Sequence, residues 1–379
     1  MKVYFDNAAT TPMDPEVLDA MLPVMRDDFG NPSSTHAFGR KVKAHLENSR
    51  RTIAKLLNVT PAEITFTSGG TEADNMAIRG AVAHLGVTTI ISSVIEHHAV
   101  SHTVEELAHN GRVKLLHVNL LPDGHVDLKH LEQLLSQNTN VLVSLMHGNN
   151  EVGNLLDIEK VSQLCRQYQA LFHSDTVQTM AHYAFDFQAL DLDFAVGAAH
   201  KFNGPKGVGF LYHNKRNKIQ PMITGGSQER ELRAGTENIY GIVGLAKAME
   251  IAYRDMDKKS AHISGLKNYM INQIKQCFPS VKFNGDAEGR SLYTVLSLAF
   301  PPELSNEMLL FNFDLNGIAI SGGSACTSGS NTGSHVIRGI GKHLDHAPVR
   351  MSFGKMNTKE EVDFVLDYMA TLFLNAPSA

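Results

Sequence analysis

The sequence predicts an α/β protein with a large domain, whose mainly parallel sheet is flanked by helices, and a smaller α+β domain. Three observations predict this fold class. Short runs rich in β-branched residues alternate with helical patterns from about Asp14 to Tyr253, which is typical of βα units. After Gly241 the pattern changes to a long helical segment followed by scattered strands and helices. The chain has 379 residues, and a single hydrophobic core rarely stabilises a chain of this length, so two domains are expected.

The strand candidates of the large domain are bounded mostly by Gly, Asn or Asp, which favour turns. In chain order they are EITFTS, TTIISSVI, VKLLHVN, NVLVSLMH, ALFHSD, DFAVGAA and VGFLYH. Ligands of such sheets bind beyond the carboxyl ends of the strands. The chemically interesting residues of this chain follow those ends.

The smaller domain follows a long helical segment that is predicted to run to about Cys277. Its other elements are the strands VKFNGD, TVLSLAF, GIAIS and VRMSFG, a helix around residues 306–315 and the final helix KEEVDFVLDYMATLFL. Thr358 and Glu361 have the spacing of a capping box at that last helix. The sequence has no low-complexity linker and no internal repeat. We therefore expect a shared helix between a large domain of residues 14–256 and a small domain of residues 257–379 together with 1–13.

The composition is that of an ordinary soluble globular protein, with 43% hydrophobic residues, 19% charged residues and a net charge of -5. A mildly acidic chain argues against nucleic acid or an anionic membrane as partner, because both need clustered Lys and Arg. No apolar run is long enough to span a bilayer, and the start MKVYFDNAATTP lacks the apolar core of a signal peptide. We therefore expect a cytoplasmic protein.

The three cysteines are Cys165, Cys277 and Cys326, an odd number without paired spacing. This excludes a disulfide framework and a zinc ribbon. Cys165 and Cys277 lie in helical patterns, where we expect buried packing. The 19 histidines show no zinc-site spacing, so no metal is expected.

The segment TFTSGGTEADNMAIRG, residues 65–80, predicts a strand that ends at Ser68, a turn at Gly69 and Gly70, and a helix from about Thr71. Unpaired N–H groups and the helix dipole suit such a helix start to a phosphate. An ordinary glycine turn with Thr71 as N-cap explains the same pattern.

Two further segments each present a charged residue at a strand end. Asp175 ends the apolar run ALFHSD, where a lone carboxylate is costly unless a cation such as a protonated pyridine nitrogen pairs with it. A helix N-cap is the alternative. Gln178, three residues later, could reach the neighbouring oxygen of such a pyridine ring.

Lys201 follows the strand DFAVGAA, where a lysine can have a lowered pKa and act as a nucleophile. A solvated lysine is the alternative there. Lys206 lies in the turn GPKG and is interpreted as part of that turn, without a catalytic role.

A phosphate cradle, a buried Asp and a strand-end Lys are the three features that pyridoxal phosphate requires. The motifs around them are SGGTEADN, EHHAV, HGNNEVGN, SDTVQT, AHKFNGPKG, RAGTEN and GGSACTSG, with FDNAATTP and FGNPSSTH at the start and VRMSFG near the end. Over nearly the whole chain they closely resemble the cysteine desulfurases of the class V aminotransferase family. The resemblance implies the fold-type I aminotransferase architecture, bound pyridoxal 5'-phosphate and a homodimer.

The resemblance also implies catalytic and substrate-binding residues. Lys201 would bond the cofactor covalently, His97 would stack on its ring and assist proton transfer, and Cys326 would take the sulfur of L-cysteine. Arg350 would clamp the substrate carboxylate, a role that suits its planar fork of donors.

The remaining implied residues hold the cofactor. Asp175 would pair with the pyridinium nitrogen, and Gln178 and Asn150 would contact the ring oxygen. Thr236 of RAGTEN would reach the phosphate bound by the partner subunit. Within one subunit, the phosphate would contact Gly70, Thr71 and His200.

The sequence departs from the family pattern in two places. The residue three before the lysine is often a serine that binds the phosphate; here it is Ala198, so that contact is missing. The departure concerns the affinity for the cofactor and not the chemistry, and the sequence does not give its effect. The chain also stops at NAPSA shortly after its last helix. Relatives that dock an iron–sulfur scaffold protein often carry a longer tail there.

Cys326 lies in SGGSACTSGSNTGS, residues 321–334, which is rich in Gly, Ser and Thr. This composition predicts a mobile surface loop, and a thiol exposed on a loop can ionise and attack. We therefore expect Cys326 to be reactive. It would receive sulfur as a persulfide while L-cysteine becomes L-alanine.

The sequence is compatible with other functions. A selenocysteine lyase or a general cysteine C–S lyase uses the same scaffold, and kinetics on cysteine against selenocysteine would separate them. A transaminase is disfavoured, since it needs no nucleophile such as Cys326. The intact Lys201, Asp175 and Cys326 disfavour a catalytically silent scaffold protein. The sequence does not identify the acceptor protein that takes the sulfur for iron–sulfur cluster or thio-cofactor synthesis.

Overall fold

The computed structural model describes residues 1–304, 308–323 and 334–374. The strands are β1 (Val3–Tyr4), β2 (Ile64–Thr67), β3 (Thr89–Ser92), β4 (Lys114–His117), β5 (Val141–Ser144), β6 (Leu171–Ser174), β7 (Phe194–Ala198), β8 (Gly209–His213), β9 (Lys282–Phe283), β10 (Val295–Phe300), β11 (Ile318–Ala319) and β12 (Ala347–Ser352). The helices are α1 (Pro15–Asp27), α2 (Ala37–Leu56), α3 (Gly70–His84), α4 (His98–His109), α5 (Leu128–Gln137), α6 (Ile158–Gln167), α7 (Phe187–Leu190), α8 (Ile239–Arg254), α9 (Met256–Cys277), α10 (Leu309–Leu315), α11 (His335–Ile340) and α12 (Lys359–Leu374).

The central sheet joins all the strands predicted for the large domain, in the order β2-β8-β7-β6-β5-β3-β4. The neighbours from β7 to β4 are parallel, whereas β8 runs antiparallel to both β2 and β7. Every residue of β3, β5 and β7 is buried, because helices cover both faces of the sheet. The predicted α/β class with a mainly parallel sheet is therefore confirmed.

A second, antiparallel sheet has the order β12-β10-β9, and β1 pairs in parallel with β11. One hydrophobic core draws its residues from positions 17–252. Another combines Val3 and Phe5 with residues from positions 263–369, so the start of the chain packs into it. The division of the chain between residues 256 and 257 stays a prediction.

The long helical segment that was predicted to reach Cys277 is broken at Asp255. This residue ends α8 and begins α9, with φ -105° and ψ 11°. Aspartate favours helix ends over interiors because its side chain competes for backbone groups. The break takes the chain from α8, which packs on α1 and α2, into α9 and the second core.

The last helix, α12, begins with the predicted capping box. Thr358 N donates to Glu361 Oε2 at 3.0 Å, and Glu361 N donates to Thr358 Oγ1 at 3.3 Å. Neither α12 nor any other helix in the described ranges is long and apolar enough to cross a membrane.

The two cysteines that were expected to be buried differ. Cys165 is buried on α6, and burial raises the pKa of its thiol. Cys277 is exposed, so its predicted burial was wrong. It is the last residue of α9, where Ile274 and the following Phe278 already occupy the buried face.

A buried ion pair ties α2 to the segment that precedes Thr236. The two Nη groups of Arg50 donate to the two carboxylate oxygens of Glu229, each at 2.8 Å. Glu229, Arg230 and Glu231 have φ values of 46°, 56° and 67°. Left-handed backbone at non-glycine residues costs on the order of 1–3 kcal/mol each, so tertiary contacts such as this ion pair are needed to hold the segment.

We expect Glu229→Ala to be strongly destabilising. It removes the carboxylate that both Nη groups of Arg50 bind and leaves the buried guanidinium with only the partly exposed Glu47, 3.3 Å from its Nε, as counter-charge. Breaking a buried ion pair typically costs about 3–5 kcal/mol. The measurement is the midpoint of urea unfolding. Glu16→Gln is the matched control, because the Glu16–Arg254 pair is exposed and should leave the midpoint unchanged. Equal midpoints for the two variants would show that the buried pair contributes nothing.

Candidate active site

Loops at the carboxyl ends of the sheet strands line a cavity of about 270 Å³. This size lies just below the roughly 300–1,000 Å³ of typical small-molecule pockets. The sequence-predicted residues that line the cavity are Gly70, Thr71, His97, Asn150, Asp175, Gln178, His200, Lys201 and Arg350. Residues to which the sequence assigned no role also line it, namely Ala8, Ala9, Asp74, Met146 and Val177.

The start of α3 is suited to an anion. Gly69 occupies the N-cap position, and no side chain in the described ranges caps the first N–H groups of the helix. The alternative with Thr71 as N-cap was therefore wrong. A Cβ on Gly70 would lie 2.7 Å from Cγ2 of Val177, so glycine allows the helix start to approach the loop after β6. Exposed N–H groups and the helix dipole together favour a phosphate here.

Asp175 follows β6, and only 5% of its surface is exposed. Its Oδ1 accepts a hydrogen bond from Val177 N at 2.9 Å. The residues that follow form a turn, so the alternative of a helix N-cap was wrong. A carboxylate buried at this depth is stabilised by a cation, and a protonated ring nitrogen would supply one.

Asp74 is a second buried carboxyl of the cavity and is not among the residues predicted from the sequence. It is 1% exposed, and Nε2 of His173 on β6 lies 3.3 Å from its Oδ1. Nδ1 of His173 lies 2.9 Å from Ser144 Oγ. Burial raises the pKa of Asp74 well above its usual range, and the charges of Asp175 and Glu96 raise it further. Burial lowers the pKa of His173 to about 3. Burial therefore disfavours the charged form of both groups.

Lys201 ends a short 3-10 turn after β7 and is partly buried. Its Nζ donates to Ala8 O at 2.6 Å and to Ala9 O at 3.0 Å. Gln178 Nε2 donates to the same Ala8 carbonyl at 3.0 Å. The main chain of the FDNAATTP motif therefore holds both side chains at the cavity.

The two histidines of the cavity are neutral near pH 7. His97 caps α4 by accepting from Ala99 N through Nδ1 at 3.1 Å, so its ring proton is on Nε2. Burial lowers the pKa of His97, against the opposing charge of Asp175. Burial lowers the pKa of His200 to about 4, and its Nδ1 lies 3.2 Å from Thr10 Oγ1.

Arg350 reaches the cavity from β12 of the second sheet and is 2% exposed. Its Nη1 donates to Asn150 O at 3.0 Å, and its Nη2 donates to Asp6 Oδ1 at 2.8 Å. Its Nε is buried and has no hydrogen-bond partner among the residues that the structure describes. A buried N–H without a partner is costly, and a ligand carboxylate would satisfy it.

Thr236, Ala198 and Cys326 are the remaining positions that the sequence singled out. Thr236 does not line this cavity and instead lines another of about 130 Å³. Ala198 lines the active-site cavity at the end of β7, where it presents a methyl group and no hydroxyl. Cys326 lies outside the described residues.

Comparison with known proteins gives consistent results. The family model described as aminotransferase class-V matches residues 3–365. A protein named cysteine desulfurase IscS, from Dictyoglomus turgidum, is 40% identical over 376 residues, which cover 97% of this chain and 93% of that protein. A solved structure named NifS-like protein superposes with a TM-score of 0.91 and 36% identity, over 99% of this chain and 100% of its own. Another, described as SspA in complex with cysteine, has a TM-score of 0.79 and 30% identity, over 94% of this chain and 100% of its own. These likenesses confirm the predicted architecture.

Proposed function

This chain belongs to the class-V aminotransferase family of pyridoxal-phosphate enzymes, and we propose that it is a cysteine desulfurase, which converts L-cysteine to L-alanine. The observation that carries this function is one cavity in which an uncapped helix start, a buried Asp175, Lys201 and a buried Arg350 converge. These groups suit a phosphate, a ring nitrogen, an aldehyde and an amino-acid carboxylate, in that order.

The residues of the cavity fit pyridoxal phosphate. Gly70 and Thr71 at the start of α3 would hold the phosphate with His200, Asp175 would pair with the ring nitrogen, and Lys201 would bond the group covalently. The ring oxygen would be contacted by Gln178 and Asn150. When bound, pyridoxal phosphate supplies an electron sink for the substrate carbon that loses its proton.

Lys201 and His97 would move the protons of the reaction. Lys201 Nζ is held at the cavity by the carbonyls of Ala8 and Ala9, and it would take the proton from the substrate Cα. His97 would be the second proton carrier through Nε2–H, because its Nδ1 is engaged by Ala99 N.

Cys326 would receive the sulfur. Its thiolate would attack the sulfur atom of L-cysteine, and the Cβ–S bond would break with its electron pair left on the carbon. Protonation of that carbon gives L-alanine, and the protein keeps a persulfide. The other cysteines are poor candidates, because burial raises the pKa of the Cys165 thiol, and Cys277 is exposed at the end of α9 and does not line the cavity.

A single assay tests this function. The holoenzyme is incubated with L-cysteine and a reductant, and alanine and sulfide are measured separately. We expect the two products in equal amounts. A parallel arm with selenocysteine tests the lyase alternative, which would be favoured if only selenocysteine were turned over. Absence of alanine from both substrates would contradict the proposal.

We expect Asp175→Asn to slow turnover on the order of 10²-fold, because the ring nitrogen loses its charge partner while the cavity keeps its shape. The measurements are kcat for alanine formation and the amount of bound pyridoxal phosphate. Asp186→Asn is the matched control, since Asp186 is an exposed N-cap outside the cavity. Unchanged turnover in the Asp175 variant would show that this carboxylate only stabilises its turn.

We further propose that the enzyme is a homodimer in which Thr236 completes the partner's phosphate site. An exposed apolar stripe on α1 supports this, because Leu18, Leu22 and Met25 are 44%, 50% and 49% exposed and Phe29 follows at 72%. A two-fold interface would cover this stripe on both subunits at once. Sedimentation should therefore show a dimer for the native chain and dissociation for Leu22→Asp. A native monomer with full activity would contradict the proposal.

The persulfide sulfur would pass to an acceptor protein for iron–sulfur cluster or thio-cofactor synthesis in the cytoplasm. A reducing compartment suits a reactive thiol, because disulfides do not persist there. Capture of partners on the Cys326 persulfide in the native host would identify the acceptor, and transfer of labelled sulfur to the captured protein would test it.

A further inference from the structure

Asp6 connects Arg350 to Ser321, the first residue of the segment 321–334 that contains Cys326. Its Oδ1 accepts from Arg350 Nη2 at 2.8 Å and from Ser321 Oγ at 2.7 Å. The main chains of Ser321 and Arg350 also exchange hydrogen bonds, with N–O distances of 3.2 and 2.6 Å. Asp6 itself does not line the cavity, so it makes no contact with a ligand there and acts on it through Arg350 and through its own charge.

The guanidinium of Arg350 still has donors for a ligand. Of its five N–H groups, Asp6 takes one on Nη2 and the Asn150 carbonyl takes one on Nη1. The Nε–H has no partner in the described part of the chain. A carboxylate can therefore bind Nε and a remaining Nη hydrogen while Asp6 stays in place.

We propose that Asp6 is the resting counter-charge of Arg350 and that it weakens the binding of the substrate carboxylate. This inference rests on the role of Arg350 in the proposed function. Without substrate, Asp6 compensates a guanidinium that is only 2% exposed. With substrate, two carboxylates share one guanidinium and repel each other.

Asp6 has two opposing effects on carboxylate binding, electrostatic repulsion and fixation of the Arg350 side chain, and the larger one decides whether binding is weakened. At an effective dielectric constant of about 20, two unit charges about 6 Å apart repel enough to weaken binding on the order of 10²-fold. Holding the guanidinium in one rotamer improves binding by only roughly tenfold or less. Repulsion therefore dominates, and Asp6 is a positioning residue that moderates the clamp. Alanine carries the same carboxylate as cysteine, so the same repulsion favours release of the product.

The test is the binding of propanoate, which is alanine without its amino group, to the holoenzyme by calorimetry. Asp6→Asn keeps an oxygen acceptor for Arg350 but removes the charge, and we expect it to lower the Kd of propanoate at least about tenfold. The KM for L-cysteine should fall in the same variant. Ser321→Ala is the matched control, because it removes the other donor to Oδ1 without changing the charge, and its Kd should stay within about twofold of the native value.

The results would distinguish failure of this inference alone from failure of the proposed role of Arg350. A Kd and a KM that are equal to or higher than native in Asp6→Asn would overturn the proposal, since Asp6 would then only orient or stabilise Arg350. Arg350→Ala should lose propanoate binding and raise the KM for L-cysteine. If Arg350→Ala behaved like the native enzyme in both measurements, the clamp of the proposed function would fail together with this inference.

Discussion

Lys201→Ala is expected to abolish alanine formation from L-cysteine, a loss on the order of 10⁴-fold or more. The substitution removes the amine that we propose bonds the cofactor and takes the Cα proton. It also leaves the carbonyls of Ala8 and Ala9 without this donor, a smaller effect that should not unfold the chain. The measurements are alanine release and the visible absorption of the purified protein, which should lose the band of the covalently bound cofactor.

Lys206→Ala is the matched control, because Lys206 lies five residues further on in the GPKG turn and is exposed. This variant should keep the absorption band and most of the turnover. Loss of activity in both variants would indicate a disturbed turn and not a lost amine. Native turnover in Lys201→Ala would end the assignment of Lys201.

The residues that follow strands were predictable from the sequence because two signals agree there. An apolar run that ends at or shortly before Gly70, Asp175 or Lys201 indicates both a buried strand and a ligand-binding group at its carboxyl end. Parallel strands bring those ends to the same edge of a sheet, so residues far apart in the sequence were expected in one place. The cavity contains all three.

The contribution of the chain's start could not be predicted from residue types. Ala8 and Ala9 act through their carbonyl oxygens, which every residue has. Asp6 is polar, but its role depends on β12 bringing Arg350 beside it from the other end of the chain. Neither effect has a local pattern, because both arise from tertiary packing.

The sequence around Asp74 does indicate that this residue is buried. It lies on α3 among Ala73, Met76 and Ala77, all of which are buried, so an aspartate there had to be buried with a partner. The identity of that partner, His173 on β6, depends on how α3 packs on the sheet. A sequence pattern can therefore indicate that a buried carboxyl needs a partner without identifying it.

Cys326→Ala is expected to separate the cofactor chemistry from the sulfur chemistry. The variant should keep bound pyridoxal phosphate and still bind L-cysteine, because the residues proposed to hold them line the cavity and are unchanged. It should form no alanine, because no thiolate then attacks the substrate sulfur. The measurement is mass spectrometry of the protein after brief exposure to L-cysteine without reductant. The native protein should gain one sulfur atom on the peptide that contains Cys326, and the variant should gain none.

Cys277→Ser is the matched control, because Cys277 is the exposed thiol among the described residues and would collect adventitious sulfur. This variant should show native turnover and native labelling of the Cys326 peptide. Cys165 should stay unlabelled in every variant, since burial raises the pKa of its thiol and the thiolate is the reactive form. Sulfur found on Cys277 in the native protein, combined with normal alanine formation by Cys326→Ala, would contradict persulfide transfer. The enzyme would then be a lyase that releases sulfide directly from the cavity.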